Sequence, residues 1–72
     1  MHNKLRVRRA ELELSQHAVA VKIEGLSRDR LHRIEKGYAD PTAEEIEALA
    51  RALDTTPAEL FPTLAEQQAE AR

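Results

Sequence analysis

Four side chains able to cap a helix, Ser15, Ser27, Thr42 and Thr56, each stand just ahead of an apolar pattern of helical spacing, and they cut this chain into short helices. Leu14, ahead of Ser15, can pack on Val19 as a hydrophobic staple. The helix begun at Ser15 continues through Gln16, Val19, Ala20 and Ile23 to a turn at Glu24, Gly25 and Leu26. There Gly25 can take the positive φ that ends a helix. Ser27 opens a segment running to about Lys36, where Gly37 stops it and Tyr38 to Pro41 form a loop. Thr42 with Glu45 and Thr56 with Glu59 have capping-box spacing, and Pro57 occupies the first helical position after Thr56. Between them Ile46, Leu49, Ala50 and Leu53 share one face, and Leu60 with Phe61 closes the last helix before Pro62. A first helix from about Asn3 to Leu12 precedes all of these, with Leu5, Arg9 and Leu12 on one stripe and Lys4 and Arg6 toward water. No run of alternating β-branched residues suggests a strand, so the expected fold is all-α, a compact five-helix domain.

At 72 residues the chain has room for one small core. That core is aliphatic, since the sequence holds one Tyr, one Phe and no Trp. The folded domain is expected over residues 1–62, with the helix-turn-helix portion at about 16–36 and an Ala/Glu/Gln-rich tail over 63–72 whose one large apolar anchor is Leu64. The absence of Cys removes disulfides, thiolate metal sites and a Cys nucleophile together, and fits a reducing compartment. The three His residues lack metal-ligand spacing, and there is no phosphate-binding glycine loop. The expectation is therefore no enzyme, no cofactor and no metal. The longest apolar stretch, Ala18 to Val21, is far short of a membrane span, so a cytoplasmic protein with no membrane partner is expected.

The net charge of −2 hides a polarised distribution. Residues 1–38 carry nine Lys or Arg against five Asp or Glu, whereas residues 39–72 carry two against eight. Such a chain can turn a basic face to phosphates and an acidic half away from them. Two ordinary solvated faces would account for the same counts.

Stepping 100° per residue around the third helix places Ser27, Leu31 and Ile34 in one narrow, core-facing sector. The opposite arc holds Asp29, His32, Arg33 and Lys36, with Arg28 and Arg30 on its flanks and Glu35 beside the apolar sector. An outward face with several Arg suits the major groove, where Arg bonds guanine bidentately and a carboxylate accepts from cytosine. It equally describes a charged surface helix.

Residues Asn3 to Phe61 resemble the Cro and C1 repressor class of helix-turn-helix proteins, the XRE family. The segment LRVRRAELELSQHAVA is similar to that family's first helix and Ser-Gln helix start. GLSRDRLHRIEKG is similar to its turn and recognition helix, and PTAEEIEALARALDTTPAELF to its last two helices. The resemblance implies a lambda-repressor-like five-helix domain that binds double-stranded DNA, its third helix in the major groove and its second across the backbone. It implies base reading by Ser27, Arg28, Asp29, His32 and Arg33, and phosphate contacts from Gln16, Lys36, Tyr38 and Thr42. It also implies a structural ion pair between Arg9 and Glu35. A transcriptional repressor working as a homodimer on a palindromic operator follows. Leu60, Phe61 and Leu64 offer apolar surface for pairing, or else Leu60 and Phe61 are wholly used within the monomer core. The competing expectation is an antitoxin, docking a toxin on the acidic fourth helix or the tail.

The chain departs from the family pattern in three places. Gln16 to Gly25 holds one residue more than the usual spacing, which must be absorbed near Glu24. Glu13 stands where a residue tolerant of positive φ is usual. Asp29 on the reading face meets phosphate repulsion unless it contacts a cytosine amino group or pairs with Arg33.

Overall fold

The computed structural model describes residues 3–62, and among them five helices follow one another without a strand. They are α1 (Leu5–Glu11), α2 (Gln16–Ala20), α3 (Arg28–Lys36), α4 (Ala43–Ala52) and α5 (Pro57–Leu60). The all-α, five-helix expectation is met. The tail expected over 63–72, with Leu64, lies outside the described residues.

The capping side chains act where the sequence puts them. Ser15 Oγ accepts from the Ala18 N–H and Ser27 Oγ from the Arg30 N–H, both at 3.0 Å. Thr42 Oγ1 accepts from the Glu45 N–H at 3.1 Å while the Thr42 N–H donates to Glu45 Oε1 at 2.8 Å, so this box closes both ways. The second box closes only half-way. Thr56 Oγ1 accepts from the Glu59 N–H at 3.3 Å, but the Glu59 carboxylate takes the Thr55 hydroxyl at 2.5 Å instead of the Thr56 N–H. An O–H aimed at a carboxylate makes a short, charge-assisted bond.

Helix α1 is shorter than expected at both ends. Asn3 Oδ1 accepts from the Leu5 N–H at 3.1 Å and its Nδ2 donates to the Ile34 carbonyl at 2.9 Å, so Asn3 ties the helix start to α3 rather than joining the helix. At the other end Glu13 adopts φ 56°, with the Leu14 N–H bonded to the Arg9 carbonyl at 3.0 Å and the Glu13 N–H to Ala10 at 3.1 Å. This is the Schellman pattern. It recurs after α3, where Gly37 has φ 80°, and after α4, where Asp54 has φ 52°. Only one of the three endings uses glycine. Leu12, expected on the apolar stripe, is 36% exposed because α1 ends before it.

Helix α2 stops at Ala20 instead of reaching Ile23. Beyond it the Lys22 and Ile23 N–H groups bond three residues back, to Val19 and Ala20, both at 3.1 Å, and Leu26 does the same to Ile23 at 3.3 Å. The chain between α2 and α3 is thus wound in three-residue turns. Gly25, with φ 83°, therefore serves inside the turn and not as the helix stop. The opened turn lets Ile23 pack half-buried on the core and sinks Leu26 to 7% exposure.

The core gathers one or more residues from every helix. Leu5, Leu31, Ile34, Leu49, Leu53 and Phe61 are among its fully buried side chains, with Leu14 and Ile46 half-buried against it. Phe61 has no exposed surface and Leu60 has 1%, so both are consumed within the subunit. Their expected contribution to a dimer surface is thereby corrected: a side chain already enclosed has no area left to bury. The Lys4 N–H donates to the Leu60 carbonyl at 2.9 Å and joins the two ends of the fold.

Candidate nucleic-acid interface

Leu31 and Ile34, both fully buried, orient α3 and turn its charged arc outward. Arg28, Asp29, His32, Arg33 and Lys36 are all exposed. Ser27 is exposed as well, although the helical wheel placed it in the core-facing sector. As the N-cap it has extended backbone, φ −87° and ψ 158°, so the helical angle does not reach it.

Two interhelical ion pairs hold this face. Arg9 on α1 meets Glu35 on α3 as a two-pronged fork, Nε to Oε2 at 2.8 Å and Nη2 to Oε1 at 3.1 Å, while Nη1 donates to the Leu14 carbonyl at 2.9 Å. The two side chains are 18% and 5% exposed. Glu35 Oε1 also accepts from Gln16 Nε2 on α2 at 3.2 Å, and the same Nε2 lies 3.3 Å from His32 Nδ1. One polar chain, Arg9–Glu35–Gln16–His32, thus runs from α1 to the outward face.

On the opposite flank Arg30 forks onto Glu45 of α4, with Nε to Oε2 at 3.1 Å and Nη2 to Oε1 at 2.9 Å, and Nη2 also donates to the Asp40 carbonyl at 3.0 Å. The Arg30 hydrogen bonds hold the Glu45 carboxyl below its ordinary value, reinforced by the Thr42 N–H and opposed by desolvation. Arg30 is raised in turn, chiefly by the bond to Glu45. The wheel put Arg30 on the flank and the capping box singled out Glu45, but nothing local says that these two flanks meet. A third arginine, Arg8, donates to the carbonyls of Leu53 and Asp54, both at 2.8 Å. It satisfies acceptors at the negative end of the α4 dipole.

The outermost groups are differently disposed. Arg33 pairs with Asp29 one turn away at 3.2 Å, the side chains being 61% and 75% exposed. Arg28 and Lys36 have no ion-pair or hydrogen-bond partner among the described residues. Gln16, Arg28, Asp29 and His32 surround one shallow depression between α2 and α3. Tyr38, 78% exposed, and Thr42 do not line it. The Gln16 amide nitrogen donates to Glu35 and lies within hydrogen-bond distance of His32 Nδ1, so with both contacts made its side chain keeps no donor for a phosphate. No helix among the described residues is long and apolar enough to cross a membrane.

Comparison with known proteins places this arrangement. No curated protein and no solved structure gives a significant match. A family model described as a helix-turn-helix domain matches residues 3–61, spanning all five helices. The chain therefore belongs to the helix-turn-helix domain family, a class of DNA-binding modules.

Proposed function

We infer that the chain is a sequence-specific regulator of transcription of the Cro and C1 type, in the cytoplasm, binding double-stranded DNA as a homodimer and acting as a repressor on a palindromic operator. The observation that carries this reading is the outward face of α3: Arg28 and Lys36 uncommitted, Arg33 and His32 exposed, on a helix pinned from both flanks. Cations that the fold does not use internally are available to guanine edges and phosphates. Residues 1–62 form the reading unit and 63–72 a tail.

In this reading α3 lies in the major groove with Arg28, Arg33, His32, Asp29 and Ser27 toward base edges. Lys36, Tyr38 and Thr42 meet phosphates, as does the start of α2 at Gln16 through its backbone N–H. One such unit covers a half-site, and two related by a dyad cover half-sites roughly 34–36 Å apart.

Selection of bound duplexes from a random pool at physiological salt, run in parallel with Arg33→Ala, tests the reading. An enriched inverted repeat that loses one base preference in the variant is the expected result. No enriched sequence would overturn it and turn attention to a protein partner for the acidic face of α4, where Glu44 and Glu47 are exposed.

A further inference from the structure

His32 is the outward end of a hydrogen-bond chain whose direction is fixed from its buried end. Glu35, 5% exposed and forked by Arg9, can only accept. The Gln16 amide must therefore face it with Nε2, since its oxygen would be repelled by the carboxylate. The other Nε2 hydrogen then points at His32 Nδ1, 3.3 Å away. A nitrogen receiving a hydrogen bond cannot also carry a proton, so the tautomer that fits this contact has its hydrogen on Nε2. That nitrogen lies across the ring from Gln16, on an exposed side chain with no partner for it among the described residues.

From this geometry we propose that Gln16 is a positioning residue that sets the hydrogen-bonding polarity of the reading face, making His32 a donor through Nε2–H. The proposal rests on the DNA-binding reading and adds what His32 selects. In the major groove guanine offers N7 and O6, adenine N7 and thymine O4 as acceptors, while the cytosine edge offers only its amino donor. A donor-only His32 accepts the first three and rejects cytosine on the strand it faces. With the proton on Nδ1 instead, Nε2 would be an acceptor and would welcome that amino group. Arg28 and Asp29 line the same depression, so the histidine works between a fixed cation and a fixed anion.

Two measurements on the full chain test this. Long-range proton–nitrogen correlation spectra of the 15N-labelled protein, taken at about pH 8 where imidazole is neutral, should show His32 Nδ1 unprotonated and Nε2 protonated. In duplex selection, His32→Ala identifies the position His32 reads. There the unsubstituted protein should exclude cytosine by about tenfold, within the range one good contact discriminates. Gln16→Met, checked for helical content, should re-admit cytosine at that position and leave preferences elsewhere unchanged, whatever it does to overall affinity. A protonated Nδ1, or a cytosine preference unmoved by Gln16→Met at a site His32 does read, overturns the proposal and leaves DNA binding standing. If no sequence is enriched at all, the DNA reading itself fails and takes the selectivity with it, while the spectra still report the proton's place.

Discussion

Helix α3 carries arginines of two kinds, and only their surroundings distinguish them. On one flank Arg30 is clasped by Glu45 of another helix, and on the other Glu35 by Arg9 of a third. On its outer face, among the described residues, Arg33 has only the neighbouring Asp29 and Arg28 has no partner. The inner charges lie between helices, where removing one partner strands the other in a poorly solvated place. The outer ones remain hydrated and interchangeable with an external anion. The same residue type is structure on one side of the helix and available surface on the other.

The sharpest test of that division is Arg9→Ala, which leaves Glu35 enclosed without its cation and should cost about 3–5 kcal/mol. That approaches the whole stability of a domain this size, so urea unfolding should find it barely folded. Replacing both, Arg9→Met with Glu35→Leu, should recover most of the loss, and failure to recover would mean that the pair contributes attraction beyond mutual solvation. Outer-face substitution should read the other way. Arg33→Ala should reduce affinity for the selected site by about 1–3 kcal/mol at one base position, with stability changed by no more than about 0.5 kcal/mol. A large stability loss would break the comparison. Glu13→Gly is expected to add about 1 kcal/mol, since it relieves a left-handed φ of 56° on an exposed residue.

The Arg30–Glu45 fork has its own signature in pH. Because the folded protein holds Glu45 below its ordinary value of 4.5, its contribution to stability is present above that value and is lost as pH falls through the lower, folded one. Arg30→Met should remove most of this acid-sensitive part, so the gap between unfolding curves at neutral and acid pH should narrow. An unchanged gap would assign the acid sensitivity to other carboxylates. The smallest effect belongs to Lys36→Ala, which should lower affinity for cognate and random DNA alike and reduce the salt slope by about 1.

Much of the fold was legible because caps and periodicity are local. Ser15, Ser27, Thr42 and Thr56 are read from a few neighbours, and they start four helices where the side chains predict. What local reading missed depends on choices between near-equal partners. Glu59 prefers the Thr55 hydroxyl to a backbone N–H, and α2 gives up its last turn so that Ile23 and Leu26 can reach the core. Glu13 and Asp54 take a conformation usually left to glycine, because the two hydrogen bonds of a Schellman ending are closed by it. For the candidate site, the exposed arc of α3 followed from a wheel, and Arg9 with Glu35 followed from family resemblance. Arg30 with Glu45 and Gln16 with His32 required knowing which helix faces which, information that exists only once the core has formed.

The bond from Lys4 to Leu60, together with the burial of Leu5 against a core completed by Phe61, makes α1 wait for α5. A domain folds as a unit, so the residues that emerge first from the ribosome wait for their packing partners. Here the first helix has no finished surface to settle on until α5 has emerged, and Asn3 finds its α3 acceptor only in the assembled fold. A nascent chain that has not yet reached Phe61 therefore has an unclosed core for chaperones and proteases to inspect.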